Sequence, residues 1–158
     1  MAEVLVLVEH VDGTLKKVSA ELITAARALG EPSAVVTGPS GTTDKVADAL
    51  TEAGAEKIYA AESDDIDGFL VTPKIDVLAG LAESVSPAAI MTAASIEGKE
   101  VAGRLAARLG SGYHNDVVAI AADGSATYSI FGGAFTVEAK ANGDVPVISL
   151  RPGAVEAE

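Results

Sequence analysis

The order of strand-like and helix-like segments changes partway along this chain, and that change constrains the fold more than any other feature. Up to about Gly110, short apolar runs alternate with segments of helical apolar spacing, which predicts a parallel sheet with crossover helices. After Asp116 no helical period appears, and consecutive strands are predicted instead. We therefore predict an α/β fold: a doubly wound, mainly parallel sheet with helices on both faces and an antiparallel hairpin extension at the C-terminal end.

Local signals place the individual elements. The first predicted helix is capped by Thr14, the second by Thr42 or Thr43, the third follows Pro73, and the fourth ends at Gly110. The segment SGYHND before the late strands is predicted to be a polar turn. Hairpin turns are predicted at Asp123-Gly124 and, within FTVEAKANGDVPVISL, at Asn142-Gly143-Asp144. The predicted parallel strands are VLVLV, SAVVTG, KIYAA and AAIMTAA.

Composition and length restrict the class of protein. The 158 residues predict one domain, residues 1–150, followed by the start of a linker at residues 151–158. The chain is 49% hydrophobic but 4% aromatic, so its core must be built from Ala, Val, Leu and Ile. A net charge of −12 argues against nucleic acid as a partner, and the absence of Cys excludes thiolate chemistry. No run reaches the length of a bilayer and the start does not resemble a signal peptide, so we expect no membrane insertion and a cytoplasmic location.

Motifs for nucleotide or metal binding are weak. The loop GPSGTT stands between a strand and a helix, where phosphates are often bound, but Gly41 is followed by Thr42 and not by the Lys of a phosphate loop. The first strand-to-helix turn also lacks G-x-G-x-x-G, so a plain turn is favoured. The acidic stretch ESDDIDG does not fit a calcium loop because Lys74 stands where a Glu ligand is needed. We expect no catalytic, cofactor-binding or metal-binding residue here.

Four polar or small residues remain as candidates for an interface. Arg104 and Arg108 are four residues apart on one side of the fourth helix, where they can pair with carboxylates at the surface or across an interface. Gly132 and Gly133 follow an apolar strand, where they permit either a bulge or the close approach of another chain. His10 and His114 would serve a hydrolase as general bases, but the sequence offers no nucleophile motif beside them.

Longer stretches resemble the electron-transfer flavoprotein α subunit. They are VLVLVEH and LITAARALG, TAASIEGKEVAGRLAARLG, the strand start Asn115-Asp116-Val117-Val118, and YSIFGGAFTVEAK. The resemblance covers nearly the whole chain and is to the N-terminal domain of that family. This chain departs from the family pattern near Glu97 and Glu100, and it has Phe131-Gly132-Gly133-Ala134 where the family has Tyr-Ala-Gly-Asn.

The resemblance implies a structural, partner-binding role within a heterodimeric electron carrier. Such a carrier takes electrons from acyl-CoA dehydrogenases and other flavin dehydrogenases and passes them to a membrane quinone reductase. In that family the FAD lies mostly in a C-terminal domain of the α subunit. We expect that domain to be absent here and do not expect the chain alone to hold FAD. The expected partners are the β subunit and that flavin domain. The alternative is a free-standing nucleotide-binding protein of the universal-stress type, whose topology is similar.

Overall fold

Parallel strands form the centre of the protein, whose structure is a computed structural model that describes residues 2–158. Within those residues a six-stranded sheet has the order β5-β4-β1-β6-β11-β7, and a three-stranded sheet has the order β10-β9-β8. The helices are α1 (Lys17–Ala26), α2 (Thr42–Glu52), α3 (Thr72–Val85) and α4 (Ile96–Leu109). The strands are β1 (Glu3–Leu7), β2 (His10–Val11), β3 (Thr14–Leu15), β4 (Glu31–Gly38), β5 (Lys57–Glu62), β6 (Ala89–Ala93), β7 (Tyr113–Val117), β8 (Ala119–Ile120), β9 (Ser125–Ile130), β10 (Phe135–Lys140) and β11 (Val147–Leu150).

Helices cover both faces of the six-stranded sheet, as predicted. Successive residues of a strand point to opposite faces, so Val4 and Val6 pack with α1 and α2 while Leu5 and Leu7 pack with α3 and α4. All four side chains are buried. This is why β1 is an unbroken apolar run, and the α/β, doubly wound fold class is confirmed.

The ends of α3 and α4 follow their local signals. Pro73 lies in the first turn of α3, Ser95 caps α4 by accepting a hydrogen bond from the Gly98 N–H (2.9 Å), and Gly110 ends it at a φ of 62°. The prediction that Thr14 caps the first helix was wrong. A tight turn at Asp12-Gly13, both at positive φ, makes β2 and β3 a small hairpin, so the chain is still extended at Thr14.

The last strand, β11, differs from the sequence prediction. It does not turn back along β10 at Asn142-Gly143-Asp144 but lies between β6 and β7, parallel to both, with Ile148 beside Met91 and His114. All four of its residues are buried, whereas all of β10 is exposed. If β11 paired with the exposed β10, Ile148 and Leu150 would lie in water, and the fold would lose the free energy of burying them. Burial between two parallel strands avoids this loss.

The segment predicted as a polar turn is partly a strand. Residues 113–117 form β7 because their backbone pairs with β11, and this pairing outweighs their polar composition. Beyond it, the predicted hairpin at Asp123-Gly124 is confirmed, and β9 pairs with β10 in antiparallel register from Ser125↔Lys140 to Ile130↔Phe135. This antiparallel sheet is the predicted hairpin extension.

Residues 151–158 run back along α1. Arg151 pairs with Asp116 (2.8 Å), the Gly153 N–H donates to the buried Glu21 carboxylate (2.8 Å), and Val155 packs on the core. The Arg151 guanidinium lowers the pKa of Asp116. The placement of a domain boundary at residue 150, with a linker after it, stays a prediction.

Candidate functional site

A cavity of about 350 Å³ opens at the carboxyl ends of β1, β4 and β6. In doubly wound sheets this edge, where the strand order reverses, is the usual place for a ligand. Its walls come from the strand ends, from the loops that follow them and from the first turns of α3 and α4. The lining residues include Glu9, His10, Lys16, Lys74, Ser95 and Glu97.

Polar groups in this cavity are largely paired with one another. The Glu9 carboxylate accepts hydrogen bonds from Ser95 Oγ and from Lys16 Nζ (3.0 Å). Ser95 also accepts from the backbone at the start of α4, so one side chain joins Glu9 to that helix. Lys74 of α3 forms an ion pair with Glu97 of α4. The positive charges that line the cavity are therefore balanced by carboxylates of the same chain.

The start of α2, which carries the GPSGTT loop, binds a carboxylate from within the chain. Glu62, at the carboxyl end of β5, accepts hydrogen bonds from the backbone N–H groups of Gly41 (2.8 Å) and Thr43 (2.7 Å). Hydrogen bonds from Thr43 and, after it, from Gly41 hold the pKa of Glu62 below its ordinary value. Gly41 takes a φ of 82°, which suits glycine and turns both N–H groups toward Glu62.

These two helix starts do not fit the diphosphate of a dinucleotide. A phosphate at α2 would meet the Glu62 carboxylate, and one at α4 would meet Ser95 and the adjacent Glu9. Both contacts would set negative charge against negative charge where a nucleotide site presents free N–H groups. Within residues 2–158, no three His, Asp or Glu side chains come together as a metal site would require.

The two histidines occupy different places. His10 lines the cavity and its Nε2 hydrogen bonds to the Thr37 carbonyl (2.9 Å). His114 is buried in β7, where Nδ1 shares a hydrogen bond with the Tyr128 hydroxyl, and burial lowers its pKa. Ser95 stands in the same cavity as His10, but its hydroxyl donates to Glu9, so it is not arranged as a nucleophile activated by His10.

Arg104 and Arg108 both find partners on the chain's own surface. Arg104 pairs with Glu100 one helical turn away (3.4 Å), and Arg108 forms an ion pair with Asp76 of α3. About half of each arginine side chain stays exposed, so each can still contact a neighbouring protein. The structure does not bring these arginines together with the cavity.

Gly132 and Gly133 form the turn between β9 and β10, with φ values of 65° and 89°. They are hairpin-turn residues and do not form the bulge that the sequence analysis gave as one alternative. Phe131 and Phe135 flank this turn and contact each other edge to face, with ring centroids 5.8 Å apart. The hairpin thus carries an exposed aromatic pair at its tip.

Sequence reasoning missed the exposed aromatic residues. All three phenylalanines of the chain, Phe69, Phe131 and Phe135, are strongly exposed. A signal was available: in a core built from small aliphatic residues, a few phenylalanines beside turn glycines are unusual and favour a surface role.

The geometry defines a class of protein: a doubly wound α/β domain whose α2 and α4 starts are occupied by its own side chains and whose exposed hairpin offers apolar surface. A family profile for the electron transfer flavoprotein domain matches residues 4–158. The chain therefore belongs to the electron transfer flavoprotein family, and the resemblance found in the sequence is confirmed.

Curated relatives agree with this assignment. The chain is 67% identical over its full length to the electron transfer flavoprotein subunit alpha of Mycobacterium tuberculosis and 62% identical to that of Mycobacterium leprae. In both cases it covers 50% of the relative's length. Over 70% of the chain it is 32% identical to the lactate dehydrogenase (NAD(+),ferredoxin) subunit LctC of Acetobacterium woodii, covering 27% of that protein. The chain thus spans about half the length, or less, of these relatives.

Proposed function

We propose that this chain is the structural, partner-binding half of an electron-transfer flavoprotein α subunit. In the complete carrier it braces the β subunit and the flavin-bearing half of the α chain, in the cytoplasm. That carrier takes electrons from flavin dehydrogenases, such as acyl-CoA dehydrogenases, and delivers them to a membrane quinone reductase. Among residues 2–158, no helix is both long and apolar enough to cross a membrane.

The single observation that carries the proposal is the exposed β9–β10 hairpin. Every residue of β10 is exposed on both faces, and among the strands that the structure describes β10 pairs only with β9. An apolar, aromatic surface beside an open strand edge is costly in water unless a partner covers it. Gly132 and Gly133 at the turn let a partner approach closely. Arg104 and Arg108 lie on α4, which packs on the other face of the sheet, so their charged contacts would belong to a separate part of the partner surface.

We further propose that FAD belongs to the complete heterodimer and is not held by this chain alone. The support is electrostatic: Glu62 and the Glu9–Ser95 pair occupy the starts of α2 and α4, which a nucleotide would otherwise use. The flavin performs the electron transfer, so no residue of this chain is assigned a catalytic role.

Reconstitution tests the proposal. The purified chain should be colourless after gel filtration, should bind the purified β subunit, and should not bind ATP in a calorimetric titration. Adding the flavin-bearing half and the β subunit should restore yellow absorbance. A flavin spectrum from this chain alone, or micromolar ATP binding, would contradict the proposal and favour the universal-stress alternative. Failure to bind the β subunit would contradict the bracing role separately.

A further inference from the structure

The segment between β10 and β11 holds an asparagine followed by a glycine, and the proposed function does not use it. Asn142, Gly143 and Asp144 are all exposed and lie outside the helices and strands. In such a pair the backbone nitrogen of the glycine can attack the side-chain amide of the asparagine, because glycine has no Cβ to hinder the approach. The pair is therefore a candidate for spontaneous chemical modification.

Both reacting groups of this pair are free of hydrogen bonds within the chain. Among residues 2–158, the Asn142 side-chain amide has no hydrogen-bond partner and the Gly143 N–H has no acceptor. Asn142 is held only through its backbone carbonyl, which accepts a hydrogen bond from the Gly112 N–H (2.8 Å). The attacking nitrogen and the amide carbon can therefore meet without the loss of a hydrogen bond that either group makes to the protein.

Asn115 shows the opposite arrangement. The chain has two asparagines and no glutamine, so Asn115 carries the one other side-chain amide. Its Oδ1 accepts hydrogen bonds from the Tyr113 hydroxyl (3.0 Å) and from Ser149 Oγ (3.2 Å). The next backbone N–H, that of Asp116, donates to Ser149 Oγ (2.9 Å). Both reacting groups are thus held within β7, and Asn115 serves as an internal control.

We propose that Asn142 is a site of spontaneous deamidation to isoaspartate. The Gly143 nitrogen loses its proton to solvent and bonds to Cγ of Asn142, the bond from Cγ to Nδ2 breaks, and ammonia leaves. Water, the one co-reactant, then opens the resulting succinimide ring. Addition at Cγ gives aspartate, whereas addition at the backbone carbonyl carbon gives isoaspartate, whose main chain runs through Cβ and Cγ. No electrons are transferred in either step.

Isoaspartate would change a contact at the edge of the six-stranded sheet. The Asn142 carbonyl that now accepts from Gly112 would become part of a free carboxylate, and the main chain would gain one methylene. Little room exists for that gain, because even a Cβ on Gly143 would lie 2.9 Å from Ser111 Oγ. The Gly112 carbonyl also accepts from the Val147 N–H (3.1 Å), so the starts of β7 and β11 should both loosen. Ordinary aspartate leaves this backbone unchanged.

Ageing of the purified chain in mildly alkaline buffer tests the site. Mass spectrometry should show a gain of about 1 Da at Asn142, and an isoaspartyl methyltransferase should label the product. The rate should lie within about tenfold of that for the chain unfolded in urea, because the fold leaves the pair open. Asn142→Gln keeps an amide but must close a larger ring, so it should react at least about tenfold more slowly.

Three results would overturn the proposal. They are no gain of mass at Asn142, a faster gain at Asn115, and a product that holds aspartate without isoaspartate. A rate in the folded chain more than about tenfold below that in urea would also overturn it, because the fold would then protect the pair.

Hydrogen exchange tests the effect on the sheet. The isoaspartate form, separated by its added negative charge, should exchange the Gly112 and Val147 amide protons about tenfold faster than the unaged chain. Freshly prepared Asn142→Asp carries the same charge on an unaltered backbone and should exchange like the unaged chain. Equal exchange in the isoaspartate form and in Asn142→Asp would refute the effect on β7 and β11. None of these measurements involves the β subunit, so their outcome is independent of the proposed function.

Discussion

Replacement of Phe131 by Asn should separate partner binding from stability. An aromatic side chain buries about 200 Å² when it is fully covered. Phe131 is 80% exposed, so roughly 160 Å² of its surface is open to a partner. Covering that area would contribute about 4 kcal/mol at ~25 cal/mol per Å². Because interfaces realise only part of such a sum, we expect a loss of about 2–4 kcal/mol, or about 30- to 700-fold in affinity.

The isolated chain should scarcely respond to the same change. Phe131 has a φ of 51°, which Asn tolerates better than Phe, so relief of strain offsets the loss of its edge-to-face contact with Phe135. We expect the free energy of unfolding of the free chain to change by less than about 1 kcal/mol.

Calorimetric titration with the β subunit and urea unfolding of the free chain measure the two quantities. The matched control is Val11→Asn, which removes an apolar side chain that is 55% exposed on another surface and should not alter the affinity. Unchanged affinity for Phe131→Asn, or an equal loss with Val11→Asn, would refute the assignment of the hairpin as the docking surface. A large loss of stability would instead make Phe131 a structural residue.

Three further changes test the fold. Gly98→Ala should destabilise the chain by about 2–3 kcal/mol, since its Cβ would lie 2.1 Å from the Ala93 carbonyl oxygen; equal urea midpoints would contradict this. Ile148→Ala should cost about 2–5 kcal/mol in urea unfolding because Ile148 is fully buried in β11; a cost typical of an exposed residue would restore the hairpin reading. Burial lowers the pKa of His114 from its ordinary value of 6.5, so below that pH the unfolded chain binds a proton that the folded chain does not. Stability associated with the neutral His114 is therefore present above pH 6.5 and is lost on acidification. His114→Gln should flatten the pH dependence of the melting temperature below pH 6.5.

Elements whose local signals agree with their surroundings were predictable. In α4, the capping Ser95, the apolar spacing through Val101 and Leu105, and the ending Gly110 all occur within one stretch of sequence. In β1, burial on both faces demands an unbroken apolar run, which is visible directly. No distant residue had to be known in either case.

The placement of β11 and β7 depends on distant partners and was not predictable from local patterns. An Asn-Gly-Asp turn signal favoured a hairpin, but the nearest strand in sequence, β10, offers no buried face. The polar β7 is stabilised across the sheet: Tyr113 and Asn115 both hydrogen bond to Ser149 of β11, at 3.0 Å and 3.2 Å. Such cross-strand contacts have no signature in the 113–117 segment itself.

The candidate interface was only partly predictable for a related reason. The turn glycines Gly132 and Gly133 have a recognisable backbone role, but the exposure of Phe131 and Phe135 depends on β10 remaining an edge strand. Exposure is a property of the assembled fold, so composition could flag the phenylalanines but not locate their surfaces.

The charge arrangement at the carboxyl edge bears on the proposal that this chain alone holds no nucleotide. Unsatisfied N–H groups at helix starts attract anions, and in many doubly wound proteins a phosphate fills that position. Here Glu62 fills it at α2, and Ser95, linked to Glu9, fills it at α4. A domain whose helix starts are neutralised from within can fold before any cofactor binds, which is what the bracing role proposed above would require.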